Sequence, residues 1–256
     1  MTGLRLAVAM FTALPVPRRW HDNAQLRARA AVRWLPFVGA VLGGLAGLVA
    51  SGVLARSAGA GLLAAALSVI ALAVLTRGLH LDGLADTADG LGSGAPAERA
   101  LAIMKQSDIG PFGVVAVACV LLVDVTALAT AIGSDVWRAP AALAVSAATG
   151  RIAVVIACTA GVPAARPGGF GALVAGSVRP VVAGALTAAL LAGTAGVAAA
   201  ADASIAGWLA TQVVALLIAG GLRVVCVVRL GGVTGDVFGA LIEVTTAAML
   251  VGIALS

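Results

Sequence analysis

The chain has 256 residues, of which 61% are hydrophobic and only 11% charged, with a formal net charge of +5. Mean hydropathy is +1.11, and apolar runs recur at about 20 residues, the length that crosses a bilayer core at ~1.5 Å rise per residue. Such runs exclude a soluble globular domain, and no ten-residue alternation of a membrane β-barrel is present. The arginines stand at the ends of apolar runs rather than in a patch interleaved with aromatics, which argues for lipid and against nucleic acid as the partner.

Taken in chain order, residues 6–14 form a short apolar stretch followed by "PVPRRW", not by a small-residue cleavage site. An uncleaved N-terminal segment at the membrane interface is expected. Seven spans follow, at 35–55, 59–79, 109–132, 140–161, 181–200, 205–228 and 237–255. The first contains "GAVLGGLAG" (39–47), small residues that let transmembrane helices approach closely. The fold class is therefore all-α: a polytopic transmembrane helical bundle of about seven spans, forming one integral membrane domain over 1–256. Cys119, Cys158 and Cys226 lie far apart in apolar segments and match no zinc or disulfide spacing.

Orientation follows from the cations. Arg5, Arg18, Arg19, Arg27, Arg29 and Arg33 precede the first span, which assigns that end to the cytoplasm. With seven spans, the connections 80–108, 162–180 and 229–236 fall on the same side, where they and their flanks carry Arg77, Arg99, Lys105, Arg166, Arg179, Arg223 and Arg229. Only Arg56 and Arg138 mark the opposite side, and Arg151 falls inside a span.

The polar chemistry concentrates on that one face. In "HLDGLADTADGLGSG" (80–94), Asp82, Asp86 and Asp89 are spaced i, i+4, i+7. On a helix this confines them to an arc of about 60°. Three like charges on one stripe call for a cation, and oxygen-only ligands suit Mg²⁺ or Mn²⁺ rather than zinc. A solvated acidic helix end is the competing reading. "GGVTGDVFGALIEVTT" (231–246) repeats the i+7 spacing with Asp236 and Glu243, and a carboxylate two turns inside an apolar helix is costly unless paired or functional. The two stripes together suggest a shared metal cage of Asp82, Asp86, Asp89, Asp236 and Glu243.

Cations supply the complement. Arg99 and Lys105 suit either phosphate binding or membrane anchoring; Arg166 follows in "ARPGG", and Arg151 suits either phosphate or a salt bridge between spans. Metal with arginine and lysine is the equipment of phosphoryl transfer. His80 is either a catalytic base or a hydrogen-bonded interfacial histidine; on an unbroken helix it points about 160° away from Asp82. Neither a phosphate-binding loop motif nor a Ser-His-Asp arrangement is present.

With these residues in place, the sequence resembles the cobalamin synthase family, the adenosylcobinamide-GDP ribazoletransferases. The resemblance runs nearly end to end through "FTALPVP" (11–17), "HLDGLADTADGL" (80–91), "MKQSDIGPFGV" (104–114), "ARPGG" (165–169) and "GGVTGDVFGALIE" (231–243). It implies a multi-pass, Mg²⁺-dependent enzyme of the bacterial inner membrane, with its site on the cytoplasmic face. The implied reaction joins adenosylcobinamide-GDP to α-ribazole or its 5′-phosphate and releases GMP. Asp82, Asp86 and Asp89 would be catalytic with His80, and Arg99, Lys105, Arg151 and Arg166 would bind substrate. A homo-oligomer or association with other cobalamin-assembly enzymes is compatible with such a role. The stripe of aspartates is also similar to that of the CDP-alcohol phosphotransferases, a second reading of the same reaction type. A transporter is disfavoured, because most acids cluster at span ends and the two halves do not match; Asp124 and Arg151 are the residues that would favour it.

Overall fold

A computed structural model describes residues 2–17, 20, 24–133 and 136–256. Arg18 and Arg19, two of the N-terminal cations, lie outside the described residues. Within them the chain is helical, with short parallel bridges in place of any sheet: Thr159 with Val178 and Ala164 with Val233. The order is α1 (Thr2–Phe11), α2 (Ala24–Val32), α3 (Leu35–Leu54), α4 (Gly61–Leu75), α5 (Leu79–Gly92), α6 (Ala97–Ile103), α7 (Pro111–Ile132), α8 (Arg138–Ala157), α9 (Gly169–Val174), α10 (Pro180–Ala200), α11 (Ile205–Leu230) and α12 (Gly235–Ala254).

Six of the described helices (α3, α7, α8, α10, α11 and α12) are long and apolar enough to cross a membrane, and α4 with α5 makes a seventh if that bent pair counts as one span. The all-α bundle read from the sequence is borne out, with boundaries shifted by a few residues. The second span differs in kind. Arg77 (φ 56°) and Gly78 (φ 66°) both take left-handed backbone, which ends α4 and turns the chain by 88° into α5. The acidic stripe therefore lies on a helix laid across the ends of the spans, rather than at the end of one.

Small residues bring the inner helices together. A side-chain carbon at Gly39 of α3 would stand 2.6 Å from the Ala147 carbonyl oxygen of α8, and Gly43 and Gly47 repeat that close approach one and two turns on. α12 runs through the middle and packs against α5, α7, α8 and α11. The N-terminal apolar segment forms a helix packed onto the core. α1 buries Leu6 and Ala7, and the chain after it is tied to the end of α4 by Ala13 N–H donating to the Leu75 carbonyl at 2.7 Å.

Candidate active site

The three polar connections meet at one end of the bundle. Gly83 of α5 lies against the backbone of Asp236, where a side-chain carbon would come within 2.7 Å of its carbonyl oxygen; Gly239 of α12 lies equally close to His80. Val233 N–H donates to the Pro163 carbonyl, and Ala165 N–H to the Val233 carbonyl, so the 162–180 connection is stitched to the start of α12. Arg166 Nη2 donates to the Leu101 carbonyl at 2.7 Å, and its Nη1 stands 3.8 Å from Asp236 Oδ2. The glycines of "HLDGLAD" and "GDVFGAL" thus serve close helix contact, and α5 runs unbroken through Gly83.

Asp82, Asp86 and Asp236 face one another across this contact. Asp86 is pushed up from 3.8 to about 6, first by burial and then by the charges of Asp236, Asp82 and Asp89, with Arg166 offsetting part of the effect. Thr234 caps α12 by accepting from Val237 N–H at 3.2 Å, and its hydroxyl donates to Asp236 Oδ2 at 3.2 Å. The sequence reading passed over Thr234, although a threonine two residues before an acidic first turn is a capping signal.

Asp89, the third member of the stripe, is used differently. Its Oδ2 accepts from Gly110 N–H at 2.7 Å and its Oδ1 from Gly113 N–H at 2.9 Å. A buried carboxylate here satisfies free donors at the N-terminus of α7 and complements its dipole. Glu243 also stands apart from the group. Two turns deeper in α12, its Oε1 is 3.8 Å from His80 Nδ1, and Arg151 Nη2 lies 3.3 Å from the same nitrogen. Arg151 is buried at the heart of α8, its Nη1 donating to the Ala147 carbonyl at 3.1 Å. It joins the interior network through His80 rather than the wall opposite Asp236. Arg99 is exposed on α6, and Lys105 is exposed beside it.

A guanidinium can only donate, so His80 Nδ1 accepts, and the ring's proton sits on Nε2. Nε2 is buried and lacks a partner among the described residues. In this arrangement His80 offers a donor rather than a base.

Two cavities open at the site, and Asp82 lines both. The first, of about 340 Å³, reaches from Asp82, Asp236 and Arg166 inward to Phe11, Phe170 and Phe238. The second, of about 460 Å³, lies beyond Asp82 and Asp86 and is walled by the 104–109 loop with Lys105. Among the described residues, no three His, Cys, Asp or Glu side chains stand close enough to hold a metal ion unaided. Mg²⁺ nonetheless suits what is present, because it is commonly held by one or two carboxylates with water and substrate phosphate completing the shell. Asp82, Asp86 and Asp236 supply oxygen-only donors, and the crowding that raises Asp86 is what a divalent ion would relieve.

Comparison with known proteins gives the family. The family model described as Cobalamin-5-phosphate synthase matches residues 3–254. The chain belongs to the cobalamin-5-phosphate synthase family. A relative from Frankia casuarinae, named adenosylcobinamide-GDP ribazoletransferase, is 41% identical over 100% of this chain and 95% of its own length. Relatives of the same name from Desulforamulus reducens (35% identical, 94% of this chain and 92% of that protein) and Stutzerimonas stutzeri (37%, 100% and 98%) extend the match. No solved structure matches the chain. The family resemblance carried by the motifs is borne out, and the motifs that carry it are the segments that meet at this end of the bundle.

The raised Asp86 gives a pH prediction with a definite sign. Its native carboxyl titrates at about 6 and its ordinary value is 3.8, so between those values the native state holds the extra proton. Stability must then fall as pH rises through this window. In EDTA, thermal unfolding is expected at higher temperature at pH 5 than at pH 7.5, and Asp86→Asn should flatten that difference. An unchanged profile in the variant would count against the crowding of the three carboxylates.

Proposed function

We propose that the chain is an adenosylcobinamide-GDP ribazoletransferase working on the cytoplasmic face of the bacterial inner membrane. The observation that carries this reading is the meeting of Asp82, Asp86, Asp236 and Arg166, from three separate segments, between two cavities at one end of a membrane bundle. Family membership supports the activity, and the excess of Lys and Arg at that end supports the orientation.

In the proposed reaction, a hydroxyl of α-ribazole or its 5′-phosphate attacks the phosphorus that carries the cobinamide arm. An oxygen–phosphorus bond forms to the ribazole, the bond to the GMP oxygen breaks, and the hydroxyl proton leaves to a carboxylate. Arg166 would hold the pyrophosphate oxygens, anchored by its own bond to the Leu101 carbonyl. Lys105 stands on the far side of Asp82 for the same charge. Asp82, Asp86 and Asp236 would hold Mg²⁺, which when bound supplies neutralisation of the charge on the leaving group. A carboxylate of this set, rather than His80, is the proton acceptor, since His80 already carries its proton on Nε2.

The test is direct. The purified chain in lipid vesicles, given adenosylcobinamide-GDP, α-ribazole and Mg²⁺, should release GMP in step with the joined product and stop with EDTA. No GMP with any divalent ion would overturn the reading.

A further inference from the structure

We propose that the inner cavity seats the flat base of the ribazole, that the cleft beyond Asp82 takes the guanosine, and that the diphosphate lies over Asp82 between Arg166 and Lys105, where the two reacting ends meet. This rests on the functional reading above and assigns its two substrates to two compartments.

The cavities differ in chemistry. The inner one is walled by an aromatic file: the Phe11 and Phe170 rings are 5.3 Å apart at 71°, and Phe170 and Phe238 are 6.1 Å apart at 86°. Edge-to-face rings of this kind leave faces and edges free to pack a further planar ring. The charged and hydroxyl groups of this cavity, Asp82, Arg166, Thr234 and Asp236, gather where α5 meets α12. Guanine carries donors and acceptors around its whole edge, and burying them against phenylalanine would leave them unpaired at a cost. The methylated benzimidazole of ribazole has a single unsubstituted ring nitrogen, an acceptor, and is otherwise apolar. His80 Nε2, on a residue of this wall, is a buried donor without a partner among the described residues. A base with one acceptor fits such a wall.

The outer cleft has the opposite character. Lys105, Gln106, Ser107 and Asp108 face it with Asp82 and Asp86, offering a cation for phosphate and both donors and acceptors for a guanine edge. The corrin ring is larger than either cavity and stays outside both. In phosphoryl transfer the attacking and leaving oxygens lie roughly in line on opposite sides of phosphorus. Compartments on either side of one carboxylate satisfy that requirement.

The experiment measures KM for each substrate separately in variants of each wall. Phe170→Ala should raise KM for α-ribazole about tenfold or more, the scale of losing an aromatic contact, with KM for adenosylcobinamide-GDP moving less than about twofold. Lys105→Ala should do the reverse. Because Phe170 also packs against the core, Gly168→Leu is the second probe. Gly168 is extended (φ −132°), and a side-chain carbon there meets nothing within 4 Å, so this variant narrows the cavity without a clash at the backbone. It should likewise raise KM for ribazole alone. Equilibrium dialysis of free 5,6-dimethylbenzimidazole reads the same site without turnover: wild type should bind it, and Gly168→Leu should bind it at least tenfold more weakly. A wild type that binds the base but releases no GMP would sink the reaction and leave the pocket standing. Turnover with KM changes that fall on the nucleotide substrate, or on neither, would overturn the compartment assignment.

Discussion

Asp82→Asn, Asp86→Asn and Asp236→Asn are each expected to lower the rate of GMP release by at least ~100-fold, the scale of removing one preorganised electrostatic contact, while the protein stays folded. Asn keeps the shape and removes the charge. All three positions are partly open to solvent, so no unpaired group is left in a dry interior. Asp89→Asn should behave differently. Its two oxygens accept the N–H groups of Gly110 and Gly113, and an amide offers only one acceptor. One of these buried donors would be left unpaired, which costs about 1–3 kcal/mol. Thermal unfolding should therefore fall in Asp89→Asn and hold in the other three, with any rate loss in Asp89→Asn following the start of α7. Near-normal turnover in all three of the first group would reduce the cluster to a solvated helix end. A rate loss in Asp89→Asn without a stability loss would return that residue to the reacting centre.

Most of the membrane architecture was legible because hydrocarbon imposes one period and one length. A run such as 111–132 is long and apolar enough to span as a helix. The shared face was legible too, since the distribution of arginine follows the topology. What spacing could not give was the identity of each carboxylate's partner. Asp82, Asp86 and Asp89 occupy one arc of α5, yet Asp89 is claimed by the first turn of α7, a long-range contact that leaves no periodic trace. Asp236 and Glu243 are likewise on one side of α12, but seven residues carry Glu243 about 10 Å inward, past the mouth and into the interior with His80. The phenylalanines of the inner cavity went unread for a related reason. Phe11, Phe170 and Phe238 come from three distant segments, and a lone phenylalanine in an apolar chain carries no signal. The motifs "FTALPVP" and "ARPGGF" were the available hint, since both put an aromatic beside a polar turn.

The second large effect belongs to the interior network. Arg151 is only 3% exposed, and its stem crosses α3 where Gly39 has no side chain, since a carbon there would stand 2.6 Å from Arg151 Cδ. Its guanidinium is the sole cation beside Glu243 in this part of the described bundle, and Glu243 shares a small cavity with Asp124 and Thr246. Removing it leaves two interior carboxyls facing each other with no countercharge. Arg151 and Glu243 meet at His80 Nδ1, and removing one charge from such a buried network costs about 3–5 kcal/mol, a penalty that a membrane interior does not soften. Arg151→Gln is therefore expected to unfold at markedly lower temperature and to lose activity through instability. Glu243→Gln alone should also destabilise, since it strands the guanidinium. The double variant Arg151→Gln with Glu243→Gln carries no stranded charge and should regain much of the loss, giving a strong coupling in a double-mutant cycle. If Glu243 instead held a metal beside Asp236, the double variant would gain nothing in stability, and both single variants would lose metal-dependent turnover while remaining well folded.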